Sequence, residues 1–161
     1  MLSILAALAL VATACGSSST SVNQGTKLTG VTVNLHYTVV GADDGDVAPD
    51  GNKHDTFKLI GDQPTIHVGD TVNVSVANYD DMPHGMTFDN GLVPSQVIAP
   101  KKDSDPEFTN TSYNFVATRV GDLRWHCPLP CDTDNAQWAM GLDQNPLGRD
   151  GFMAGTISVV A

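Results

Sequence analysis

Basic residues are scarce in this chain of 161 residues: eight Lys and Arg stand against eighteen Asp and Glu, for a formal net charge of −10. A surface of that sign rejects the nucleic-acid backbone and suits cations or basic proteins. Cysteine is scarcer still, with only Cys15, Cys127 and Cys131. No histidine follows Cys131; the last of the five is His126. The longest uncharged apolar stretch, at residues 1–15, falls short of the roughly 20 residues that a membrane-spanning helix needs. No internal repeat and no amphipathic helical pattern is visible. No nucleophile–base pairing or pair of acids stands in a catalytic spacing, so an enzyme is not expected.

What is present begins with MLSILAALALVATAC, which has the length of a secretory apolar region. Ala12-Thr13-Ala14 precede Cys15, and Gly16-Ser17-Ser18-Ser19 follow it. This resembles the bacterial lipoprotein cleavage box, in which the cysteine becomes the lipidated first residue. No Lys or Arg precedes the apolar run, and Ala12 stands where that pattern prefers Leu, so a plain cleaved signal is the other reading. The expected organisation is a lipoprotein-type signal peptide at 1–15, a Gly/Ser-rich tether at 16–27 and a domain at 28–161. The domain is expected outside the cytoplasmic membrane or in the cell envelope, held by lipid alone, where disulfides persist.

From Val31 the chain alternates: Val31, Val33, Leu35, Tyr37 and Val39 interleave with Thr32, Asn34, His36 and Thr38. That period of two predicts a strand with one buried face. Further strands are predicted at 57–60, 64–68, 71–77, 82–88, 113–118, 123–126 and 155–160. The acidic stretch 41–56 reads as a solvated Gly/Pro turn rather than a calcium loop, since its aspartates do not follow the spacing of an EF-hand. Short strands separated by turn signals predict an all-β fold, an antiparallel Greek-key β-sandwich.

Three segments carry the chemistry. Met82-Pro83-His84-Gly85-Met86 places Met82, His84 and Met86 on one side if extended. Trp125-His126-Cys127-Pro128-Leu129-Pro130-Cys131 holds the close cysteine pair, and Met153-Ala154-Gly155-Thr156-Ile157 leads into the last strand. In this order, after Pro64 to Asn78 and with Gly121-Asp122-Leu123-Arg124-Trp125 leading into Cys127, they resemble the cupredoxin family of copper-binding sandwiches over roughly residues 57–161. The Cys-x-x-x-Cys spacing is most similar to the dinuclear copper (CuA) domain of cytochrome c oxidase subunit II. The resemblance implies about eight strands, with copper at one end held by His84 and the loop between the last two strands. Its cofactor would be copper, its work electron transfer, and its partner a redox protein such as a basic cytochrome steered by the acidic surface.

The loop departs from that pattern. The subunit II pattern has a histidine four residues after the second cysteine and a methionine three further on; here those places hold Asn135 and Trp138. The donors that remain are His84, Cys127, Cys131 and Met153, with Met140 and His126 as further candidates. Thiolate, thioether and imidazole select copper, especially Cu(I), over calcium or magnesium, and methionine is a poor ligand for zinc. Because His126 adjoins Cys127, a regular strand points it to the opposite face. Two other readings stay open: a Cu(I) chaperone or storage protein, and a metal-free interaction module with Cys127 and Cys131 joined as a disulfide. Met82 and Met86 also read as core filler.

Overall fold

In the computed structural model, residues 30–104, 107–131 and 151–161 are described. The expectations for the signal segment with Cys15, the tether, Asn135, Trp138, Met140 and the stretch 141–150 lie outside those residues. Among the described residues the chain runs through β1 (Thr32–Val40), a single 3-10 turn (Ala42–Asp44), β2 (Asp46–Val47), β3 (Lys53–His54), β4 (Thr56–Leu59), β5 (Ile66–His67), β6 (Thr71–Asn78), β7 (His84–Phe88), β8 (Gln96–Ile98), β9 (Thr109–Val116), β10 (Gly121–His126) and β11 (Ala154–Val160). No helix among the described residues is long and apolar enough to cross a membrane.

The strands form two sheets, β4-β1-β6-β9 and β5-β11-β10-β7-β8, with β2-β3 as a separate pair. The all-β sandwich is the class expected from the alternating pattern. Most ladders are antiparallel, but β1 pairs with β6 and β5 with β11 in parallel. A parallel neighbour needs a long crossover. For β1 and β6 that crossover is the segment 41–70, in which the strands predicted at 57–60 and 64–68 follow the predicted turn 41–56. That segment is also less solvated than expected: it carries β2 and β3, and it buries His54, Asp55 and Thr56. The strand read at 113–118 begins earlier, at Thr109, where Asn110 and Ser112 hide an alternation that is polar on both faces.

Period-two patterning aims Val33, Leu35, Tyr37 and Val39 of β1 and Val72, Val74 and Val76 of β6 inward. They meet Phe88, Leu123, Trp125, Ile157 and Val159 from the other sheet in one apolar cluster. Within it Trp125 lies 4.7 Å from Phe57 and 5.6 Å from Tyr37 between ring centroids. The indole covers its ladder partner Gly155, where an added Cβ would stand 2.7 Å from the ring. Glycine is needed there for space.

At the start of β6, buried Asp70 closes the frame. Its carboxylate accepts the backbone N–H of Val31 at 2.9 Å and that of His67 at 2.8 Å, tying the chain just before β1 to the end of β5. Those amides, His67 first, hold the carboxyl below its ordinary value. A depressed carboxylate stabilises the fold above its unfolded pKa, and that contribution is lost as pH falls through the folded value. Asp70→Asn is therefore expected to lower the urea midpoint at neutral pH and to shrink the acid-induced loss seen in the parent; parallel denaturation series at neutral and acidic pH measure both effects. Gly155→Ala, by crowding the indole, is expected to cost about 1–3 kcal/mol in the same measurement.

Candidate metal centre

β6 ends at Asn78, which is fully buried and pins the following turn. Its side-chain amide donates to the carbonyls of Met82 at 3.0 Å and Ala99 at 2.9 Å, and its oxygen accepts the Asp80 N–H at 3.0 Å. The chain thus enters β7 with His84 as its first residue, completely buried. His84 and Met86 face the core as the period of two predicts. Met82 does not share that face: it precedes the strand and is half exposed.

Opposite, β10 delivers Cys127. Its N–H donates to the Met153 carbonyl at 2.8 Å, extending the β10–β11 ladder by one residue. The Gly85 N–H donates to the Cys127 sulfur at 3.3 Å. Pro128 rests on the same backbone, so that a Cβ at Gly85 would lie 2.6 Å from its ring. The loop then turns through Leu129, whose carbonyl accepts the Cys131 N–H at 2.8 Å. Proline at 128 and 130 fixes two φ angles and removes two N–H groups from this tight return. The result is a pair of free thiols with their sulfurs 3.4 Å apart.

One ring nitrogen of His84 and the two sulfurs lie within 4.8 Å of one another. His84 Nε2 bonds Asp80 at 2.8 Å, while Nδ1 is buried without a hydrogen-bond partner. A second close set joins His84 to Asp55 and Asp80. Met153 adjoins Cys127 through the backbone bond and is fully buried in the same apolar cluster. The Met86 sulfur, also buried, is taken by the Tyr113 hydroxyl, which donates to it at 2.7 Å. His126 stands apart: Nδ1 pairs with Asp89 at 2.8 Å, and Asp89 also holds Arg124. The structure thus brings together His84, Cys127 and Cys131, buries Met153 beside Cys127, and turns His126 away.

Burial is the largest influence on His84 and pushes its pKa down, but the Asp80 carboxylate and the Cys127 sulfur outweigh it and raise it to about 9. The Cys131 thiol, donating to Cys127, is the main reason Cys127 falls to about 5; burial opposes this, and His84 and the Gly85 amide assist. Cys131, as that donor and itself largely buried, is pushed well up. The metal-free centre is therefore a thiolate beside an imidazolium.

The sequence reading gave Asp80 and Asp55 no part here. Asp80 had a signal: a carboxylate four residues before the histidine, across a turn closed by Asn78, a pattern repeated at Asp50 and His54, whose Nε2 lies 2.8 Å from the carboxylate. Asp55 offered none, because its place depends on the fold of 41–56.

No protein-family model matches the chain, and no curated protein is significantly similar to it. Among solved structures it is similar to rusticyanin from Thiobacillus ferrooxidans, with 20% identity, 80% of this chain and 77% of that chain covered, and a TM-score of 0.49. It is also similar to copper nitrite reductase from Nitrosomonas europaea, with 20% identity, 80% of this chain but 41% of that chain covered, and a TM-score of 0.48.

In reduced, metal-free protein, ultraviolet thiolate absorbance should rise with a midpoint near pH 5, and His84→Ala should move that midpoint upward. The stability that Cys127 contributes is present above the ordinary thiol value of 9.0 and is lost as pH falls through about 5. That of His84 is present below 6.5 and is lost as pH rises through about 9. The pair's joint contribution should therefore rise between about pH 5 and 6.5 and stay level above that, since between 6.5 and 9 the gain from Cys127 offsets the loss from His84; denaturation midpoints from pH 5 to 9 measure it.

Proposed function

We propose that His84, Cys127 and Cys131 hold copper, with Met153 as a fourth donor, and that the protein is an exported electron carrier attached to the membrane through lipid on Cys15. The observation that carries this reading is a buried imidazole nitrogen without a protein partner beside two free sulfurs. Two sulfurs and an imidazole are the soft and borderline donors that suit copper. Copper bound there would supply one-electron exchange.

The chain's own contribution is a rigid, dry mounting. His84 and Cys127 are fully buried on strand ends of one sheet, so the donors need little rearrangement when charge changes. The Gly85 N–H stabilises negative charge on the Cys127 sulfur, a neighbouring hydrogen bond of the kind that tunes a metal–thiolate centre. The set holds one imidazole, and the second histidine of the subunit II centre has no counterpart after Cys131. Beside the centre, Asp43, Asp44, Asp80 and Asp81 line one acidic hollow with Tyr79. That charge would speed encounter with a basic partner such as a cytochrome, and the advantage would fade with added salt.

The excess of sulfur over imidazole favours a second reading, Cu(I) delivery or storage, and a carrier of either kind needs no catalytic groups of its own. Metal analysis and visible spectra of the reduced full chain test the assignment. Wild-type protein should bind copper, whereas Cys127→Ser and His84→Ala should each lose most of it. Intense thiolate-to-copper absorption with Cu(II) supports electron transfer, and a colourless complex formed with Cu(I) alone supports delivery or storage. Undiminished binding in both variants would overturn the site. Permanent Cys127–Cys131 oxidation, with no copper bound after reduction, would leave a metal-free interaction module.

A further inference from the structure

We propose that Asp80 is the positioning residue of this centre: its carboxylate accepts the Nε2–H of His84 and so leaves Nδ1 as the nitrogen that gives up its proton to a metal beside the two sulfurs. The inference rests on the metal reading above and goes beyond it by assigning the histidine's orientation to a residue that is not a ligand.

Three observations carry it. Asp80 Oδ2 lies 2.8 Å from His84 Nε2, with the imidazole fully buried and the carboxylate side chain only 13% exposed. The other ring nitrogen, Nδ1, is buried and unpartnered. A neutral imidazole has one donor and one acceptor nitrogen, so occupation of Nε2–H by a carboxylate leaves the Nδ1 lone pair free. The ring therefore has one edge for the carboxylate and the other for the metal.

The third observation is that the fold holds Asp80 from several sides. Its N–H donates to Asn78, its carbonyl accepts the Lys101 N–H at 2.8 Å, and the backbone amides of Asp81 and Met82 assist at its carboxylate. Gly41 provides the room. A Cβ there would stand 2.9 Å from Asp80 Oδ1 and 3.1 Å from Cγ. Gly41 has φ −70° and ψ 171°, ordinary extended backbone open to any residue, so its lack of a side chain answers to the carboxylate and not to the turn. A surface ion pair would need none of this support. Asp55, also buried, shares the close set with Asp80 and His84.

A carboxylate behind a ligating histidine fixes its tautomer and raises its basicity, and losing such a partner typically costs about 10–100-fold in metal affinity. The test uses the full chain loaded with Cu(I), which is diamagnetic. Nitrogen-15 NMR of His84 should show Nδ1 shifted by the metal and a slowly exchanging Nε2–H. Asp80→Ala should bind Cu(I) about 10–100-fold more weakly in competition with a colorimetric chelator, and its Nε2–H should exchange fast. Asp80→Asn keeps an acceptor oxygen and should recover part of both losses. Gly41→Ala, which touches no ligand, should weaken binding in the same direction by moving the carboxylate.

Wild-type affinity and unchanged His84 nitrogen shifts in Asp80→Ala would overturn the positioning role and leave the metal assignment standing. Should Asp80→Ala fail to fold, wild-type affinity in both Asp80→Asn and Gly41→Ala overturns it equally. A wild-type protein that binds no Cu(I) overturns the metal reading, and this inference with it.

Discussion

The contact of the Cys127 sulfur with the Gly85 backbone is the constraint on which the centre depends. It joins the start of β7 to the loop that leaves β10, two segments more than forty residues apart in the chain. Gly85 meets Cys127 by its N–H and Pro128 by its missing side chain, so one residue sets both the distance and the angle at which the loop arrives. His84, next in sequence, is carried to the sulfurs by the same approach. The two-sheet frame makes this possible because β7 and β10 are ladder neighbours, with Trp125 opposite Phe88 and His126 opposite Thr87. Were the strands not paired there, no local feature of either segment would bring imidazole and thiol together.

Burying such polar groups requires that each be answered. An isolated charge in an apolar interior is costly unless it is paired and hydrogen-bonded. Here the imidazole lies between a carboxylate and a thiolate, and the thiolate receives the Gly85 amide and the Cys131 thiol. Each group stabilises the charged form of its neighbour. Removal of one member is felt by the others as an unpaired charge, so single replacements at His84, Asp80 or Cys127 are coupled rather than additive. The centre thus behaves as one electrostatic unit before any metal enters.

The sandwich was legible from sequence where one face of a strand is apolar. The alternation in 31–39 and 71–77 marks β1 and β6 because each buries every second residue. It was illegible where tertiary contacts override local pattern. β8, three residues long, carries no period to detect, and Asp46–Val47 and Lys53–His54 are strands only because they pair with each other. At the site, His84, Cys127 and Cys131 could be read from residue type and order. Asp80 was signalled only by its place four residues before His84, and Gly41 not at all, since nothing local shows that a glycine after β1 makes room for a carboxylate after β6. Parallel pairing of β1 and β6 sets Val39 opposite Asn78, and so brings their two exits side by side.

The absent histidine after Cys131 acquires a physical meaning in this setting. With one imidazole where a blue copper site has two, donor strength shifts toward sulfur. A sulfur-rich set favours the lower oxidation state and a lower coordination number, and it tightens Cu(I) more than Cu(II). A carboxylate behind the single imidazole works against that bias, because a more basic, fixed nitrogen helps the higher-charged ion. The balance between Asp80 behind His84 and the paired sulfurs of Cys127 and Cys131 therefore decides whether such a centre cycles between oxidation states or retains one of them. On this account, the difference between an electron carrier and a Cu(I) store depends on a carboxylate that never touches the metal as well as on the sulfurs that would.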